Sequence, residues 1–176
     1  MALQTSGAIS LNDIHIEAGG TSGTQVSIND LDVRGLLGKA SGVSMSFSEW
    51  YGAGLLVISQ GISGTNRGFA LPNFGLTAFG SATPSGFLYK GVRVPSVFYS
   101  EVNTKGSITR IFSVYLEGHV STSFLGGVSE ASLGTLSSVT GTQINSGGVN
   151  LTRFQWNLVS SPSNWTGSGN VTVDFI

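Results

Sequence analysis

Every one of the ten Phe, four Tyr and three Trp residues of this 176-residue chain lies at Phe47 or beyond. That asymmetry divides the chain. Whatever residues 1–46 fold into has to be built from Ile, Leu, Val and Ala, and aromatic side chains are the largest single contributors of buried area to a core. The sequence period changes at the same place. Up to about Trp50 the apolar residues have helical spacing; from Leu55 onward they alternate. Trp50-Tyr51-Gly52-Ala53-Gly54 is the expected junction between an N-terminal segment, 1–53, and a second domain, 54–176.

The N-terminal segment carries one phrase three times. It reads Ile9-Ser10-Leu11-Asn12-Asp13-Ile14, then Val26-Ser27-Ile28-Asn29-Asp30-Leu31, then Met45-Ser46-Phe47-Ser48-Glu49-Trp50. A Ser followed three places later by an acid resembles a helix capping box. The hydroxyl accepts from a first-turn N–H, and the acid sits where the helix dipole favours negative charge. Ser10/Asp13, Ser27/Asp30 and Ser46/Glu49 are therefore expected to cap three short helical pieces, stopped by Gly19, Gly38 and Gly52. Helices this short are marginal by themselves in water. Their apolar residues, Ile9, Leu11, Ile14, Val26, Ile28, Leu31, Phe47, Trp50 and Tyr51, are expected to form a docking face, against the chain's own second domain, a symmetry mate or another protein. With so little to bury against one another, the pieces are expected to be stable only when docked.

Beyond the junction the signals are those of strands. Leu55–Ile58 reads as buried. Residues 65–86 are punctuated by Gly, Pro and Asn and predict irregular structure or short strands. Val92, Val94 and Phe98 share a parity broken by Pro95, which predicts an edge strand or a bulge. Ile108, Phe112, Val114, Leu116 and Val120 form one face of a long run, with Thr109, Ser113, Glu117 and His119 on the other; Arg110 interrupts the apolar face. Phe154, Trp156 and Leu158 alternate with polar neighbours, as do Val171, Val173 and Phe175. Weaker strands are expected at 121–125, 135–140 and 142–150. The chain is thus expected to be mainly β: short helical pieces, then an antiparallel β-sandwich of about seven or eight strands, with a small barrel as runner-up.

Composition limits the function classes. Charged residues make up only 10 % of the chain, against roughly 25 % in typical soluble domains. That paucity suits a protein packed in an assembly. A net charge of −1 gives no electrostatic footprint for nucleic acid. No apolar run is long enough to span a bilayer as a helix, and the first residues lack the basic and apolar regions of a secretory signal. The absence of cysteine rules out disulfides and thiolate metal sites. With two histidines, no Gly-x-Ser-x-Gly elbow, no phosphate loop and no calcium loop, no cofactor or metal is expected and the chain reads as a non-enzyme. Paired carboxylates for glycoside hydrolysis would have to come from Glu101, Glu117, Glu130 and Asp174. Trp165 is the one aromatic in an evident turn. Exposed, it would be a ligand contact, stacking on a host-surface sugar or a partner; buried, it would plug the end of the sandwich, which is the preferred reading.

Set in context, the threefold phrase resembles a known module. Residues 7–14, the Gly19-Gly20 break, residues 26–31 and Met45-Ser46-Phe47-Ser48-Glu49-Trp50-Tyr51-Gly52 are similar to an N-terminal module of tailed-bacteriophage virion structural proteins of the tail, fibre and baseplate type. The resemblance spans roughly residues 7–53. It implies attachment to other virion proteins through residues 1–53, location in the virion after synthesis in the host cytoplasm, and a homo-oligomer, with a trimer favoured. A capsid decoration or neck (head-fibre) protein is the rival within that class. A carbohydrate-binding adhesin is a second alternative, and a polysaccharide-degrading enzyme ranks last.

Overall fold

The structure of the chain is a computed structural model; it describes residues 3–4, 7–37, 39–51, 55–84, 86–90 and 92–176. The expected helix stops Gly38 and Gly52, and the junction residues 52–54, lie outside the described residues. Strands take up 42 % of the chain and helices 10 %, so the fold is mainly β after a short helical N-terminus, as the alternation predicts.

Among the described residues there are thirteen strands. Five form one antiparallel sheet, in the order β10 (Gly134–Ser137), β9 (Gly127–Glu130), β13 (Asn170–Phe175), β1 (Leu55–Ser59), β4 (Ser81–Thr83). Six form a second, in the order β11 (Thr142–Ser146), β12 (Val149–Asn157), β8 (Ser107–Glu117), β7 (Ser96–Thr104), β3 (Asn66–Ala70), β2 (Gly61–Ser63). The inner faces meet in one core: Leu56, Ile58, Val171, Val173 and Phe175 from the first sheet, and Val97, Tyr99, Phe112, Val114, Leu116, Phe154 and Trp156 from the second. Two sheets packed this way make a β-sandwich-like fold. No described helix is long and apolar enough to cross a membrane.

Three details depart from the sequence reading. The strands outnumber the seven or eight expected, because several are two to four residues long and lack a readable alternation. The expected strand at 121–125 is loop, and its place in the sheet is taken by β9. Pro95 marks neither an edge nor a bulge. It separates β6 (Val92–Arg93) from β7, a central strand that starts one residue later, so the missing N–H costs the ladder nothing. The outward parity of β8 is also not all solvated: Ser113 and Tyr115 are buried. The loop of residues 71–79 lies over that outer face. There Phe74, Phe98, Tyr115 and Leu151 form a second apolar cluster, with Phe98 stacked on Tyr115 at 5.6 Å.

The remaining hairpin, β5 (Leu88–Tyr89) with β6, closes one end of the sandwich. The Tyr89 ring packs against Phe175 and edge-on to Phe124, and its hydroxyl donates to the Ile176 carbonyl at 2.7 Å. The same hairpin meets the N-terminal segment. A Cβ added to Gly35 would lie 2.2 Å from Leu88 Cδ1, and one added to Gly19 would lie 2.9 Å from Lys90 Cγ. The two parts of the chain thus touch through Leu88 and Lys90, against glycines that leave room for them.

Candidate docking surface

The repeated phrase is also a repeated structure. In each copy the Ser backbone N–H donates to the acid three residues on: Ser10 to Asp13 at 2.8 Å, Ser27 to Asp30 at 2.8 Å, Ser46 to Glu49 at 3.1 Å. In each copy the Ser hydroxyl accepts from a nearby backbone N–H on its C-terminal side, that of Asp13, Asn29 and Ser48 respectively. Hydrogen bonds from the Ser10 hydroxyl and backbone hold the Asp13 carboxyl below its ordinary range; for Glu49 the Lys39 ammonium leads, with the Ser46 backbone second. Asp serves as well as Glu here, because Ser10 reaches Asp13 with good geometry.

The capped turn leads into a different structure in each copy. The first opens the α-helix α1 (Leu11–Glu17), with a complete capping box, and Gly19 lies just past its end with φ +94°. The third opens a single 3₁₀ turn, Phe47–Trp50, also with a complete box. The second does not cap a helix. Its turn closes on itself, and α2 (Leu31–Gly35) begins only after Asp30, which makes no side-chain cap bond. Ser27 and Asp30 are therefore turn residues, a correction to the expected helix cap. The three-residue delay turns Leu31 outward, 73 % exposed, while its counterparts Ile14 and Trp50 are fully buried.

These pieces pack on one another. Leu3, Ile14, Ala18, Val33, Leu36 and Trp50 form one buried cluster, with Ile9, Leu11, Val26, Ile28, Leu37 and Met45 packed partly buried against it. The expectation that the pieces have little to bury against one another fails, because Trp50, the second aromatic in the chain, folds back into this core. Arg34 supports it from one side. Its buried guanidinium donates to the Ala40 carbonyl from Nε (2.9 Å) and Nη2 (2.6 Å), to the Val43 carbonyl, and to Asn29 Oδ1 at 2.8 Å. It thereby draws the 40–43 loop over the core. Nothing in the spacing of Arg34 signals that role. Lys39 Nζ meets both Glu49 oxygens at 2.7 Å at the half-exposed rim, where an ion pair contributes about 0–1 kcal/mol. His15 is buried, and its Nε2 lies 2.8 Å from Thr24 Oγ1. Since that hydroxyl already donates to the Thr21 carbonyl, Nε2 is the donor in this contact.

The nine residues expected at a docking face therefore separate. Ile14 and Trp50 are interior to the segment and cannot touch a partner. Ile9, Leu11, Val26 and Ile28 are half-buried against the same core. Leu31, Phe47 (50 %) and Tyr51 (41 %) present apolar surface to solvent, and Tyr51 is anchored by its hydroxyl donating to the Gly7 carbonyl at 2.6 Å. Ile16 and Val43 join them at 47 % and 48 % exposure; both fall outside the repeated phrase, so its pattern does not signal them.

Trp165 is a plug, not a ligand contact: it is 3 % exposed, edge-on to Phe112 at 5.1 Å, and donates from Nε1 to Glu130 Oε2 at 3.2 Å. With both faces of the indole covered, it cannot stack on a sugar. Glu130 is itself buried and gathers Ser132, Leu133, Asn164 and Trp165. Burial pushes its carboxyl up, but the hydrogen bonds from Asn164, Ser132 and Trp165 outweigh it and hold the group below its ordinary range. The other carboxylates stand apart on their own strands: Glu101 paired with Arg110 on β7 and β8, Glu117 exposed at the end of β8, and Asp174 half-buried on β13. Among the described residues no three His, Cys, Asp or Glu side chains gather as a metal site.

Comparisons of the chain with protein-family models, with curated proteins and with solved structures find no match.

Proposed function

We propose that this chain is a non-enzymatic structural protein of a tailed-phage particle, of the tail, fibre or baseplate type, held to other virion proteins through its N-terminal segment and working as a homo-oligomer, a trimer. The observation that carries the proposal is a pairing. The segment that resembles the phage module is a separately cored unit, and it leaves Leu31, Phe47 and Tyr51 exposed in a chain with few charges. Large apolar side chains left in solvent on a small unit mark a surface that is covered in use. The particle surface is the expected cover.

The test is incorporation. A Leu31→Asp/Phe47→Asp double variant keeps the buried core, since neither residue belongs to it, and should be lost from purified particles while the wild-type chain is retained. Equal recovery of both on particles would overturn the docking surface. Labelling of the retained chain by electron microscopy on the capsid or neck instead of the tail would favour the decoration or head-fibre alternative. A monomer in light scattering at assembly concentrations would remove the trimer.

A further inference from the structure

We infer that the β domain holds a binding site for a polyhydroxylated, sugar-sized ligand, in the cavity between the inner face of β3–β7 and the loop of residues 161–166. The site lies wholly outside residues 1–53 and does not depend on how the chain is attached.

The cavity has a volume of about 370 Å³, inside the range of roughly 300–1,000 Å³ common for small-molecule sites. Its wall is polar and preorganised. Tyr99 on β7 donates from its hydroxyl to Glu101 Oε2 at 2.6 Å, Arg110 donates from Nε to the same oxygen at 2.9 Å, and the Ser161 hydroxyl donates to it as well. Arg110 Nε also reaches Ser161 Oγ at 2.9 Å. Three donors on one oxygen fix the carboxylate plane. Among the described residues no hydrogen bond reaches Oε1, so that oxygen remains available as an acceptor. The Ser161 and Tyr99 hydrogen bonds hold the Glu101 carboxyl down at about 2, which keeps it ionised, while burial first and Glu101 second push the Tyr99 phenol up, which keeps it a donor.

A donor set sits beside this acceptor. Arg67 on β3 is the cross-strand partner of Tyr99. Its Nη1 donates only to carbonyls of its own turn, Gly64 and Asn66, both at 3.2 Å. Nε and Nη2 carry three more N–H donors with no hydrogen-bond partner among the described residues. Ser163 and Thr166 bring hydroxyls, which can donate or accept, to the same wall. A fixed charged acceptor, a fork of unused donors and ambivalent hydroxyls match adjacent hydroxyls on a ring, each of which both donates and accepts. The geometry recognises by hydrogen bonding, not by stacking, since Trp165 at the base of the cavity is covered on both faces.

The experiment is a titration of the isotopically labelled full chain with methyl α-D-glucopyranoside and, separately, with myo-inositol, monitored through backbone amide shifts. The expected result is saturable shifts confined to Tyr99, Glu101, Ser161 and Thr166, with Kd in the ~mM range typical of small polar ligands, for at least one probe. Arg67→Ala should weaken binding about tenfold or more, the worth of a charge-assisted hydrogen bond. That variant leaves the Glu101 network intact and so keeps the fold. Glu101→Gln should also weaken binding. Saturation by the glucoside alone assigns a sugar, and by inositol as well a general polyol. No saturable shift at these amides with either probe, or saturation unchanged in Arg67→Ala, would overturn the site.

Discussion

Trp50→Ala tests whether residues 3–51 are a unit with their own stability. Trp50 is completely buried at the centre of the N-terminal core. Truncating a buried Trp to Ala costs about 3–5 kcal/mol. Here the loss should sit at or below the low end, about 2–3 kcal/mol, because the indole N–H is buried without an acceptor among the described residues and such a group already costs the folded state about 1–3 kcal/mol. A core built by so short a segment supplies no more than about 3–5 kcal/mol, so the substitution should remove most of it. Trp50→Phe is the control. It deletes the unmet N–H, keeps a ring in the core, and should change stability by about 1 kcal/mol or less. Native-state hydrogen exchange read by mass spectrometry separates the two regions. In Trp50→Ala, peptides from residues 9–37 should lose protection while those from 107–157 keep theirs. Equal loss in both regions would show that the segment is not an independent unit. A Phe variant as damaged as the Ala variant would refute the argument about the indole N–H.

Gly35→Val should separate the segment from the hairpin that carries it, because the added carbons fall on Leu88, and overpacking of this kind costs about 1–3 kcal/mol; the expected readout is faster proteolysis near residues 51–55, reversed by a compensating Leu88→Ala. Glu130→Ala should destabilise the sandwich by about 3 kcal/mol, since it leaves the Trp165 indole N–H and the Ser132 and Leu133 amides without their acceptor; a shift in the urea midpoint at constant slope measures it. The Glu101 carboxyl is lowered from 4.5 to about 2 by folding, so its contribution to stability is complete above about pH 4.5 and is lost as pH falls toward about 2. Wild type should therefore lose more stability than Glu101→Gln over that interval in paired urea titrations, and parallel losses would contradict the assignment.

Much of the fold was readable because it rests on local rules. A continuous apolar run placed β1, and alternation placed β8, β12 and β13, since a strand with one face in the core must repeat with period two. The Ser-to-acid spacing placed two of the three expected helix caps, at Ser10 and Ser46, and in the second copy closed a turn without capping a helix. The docking face was readable only in part. Helical spacing says that a residue is apolar on one side; it does not say what lies on that side. Ile14 and Leu31 hold equivalent places in the repeated phrase and end on opposite sides of the surface: α1 begins three residues before Ile14, whereas α2 begins only at Leu31.

The class of fold and the hydrogen bonds of the repeated turns were written in the order of residues, since they depend on interactions between near neighbours in the chain. Long-range packing settled the rest. It folded Trp50 back to give an aromatic-poor segment its own core, laid the 71–79 loop over the outer face of β8, and covered Trp165. It also brought Glu101, Arg67 and Ser161 to one cavity. Each of these outcomes joins residues tens of positions apart, and burial, unlike periodicity, is fixed by which distant surfaces meet.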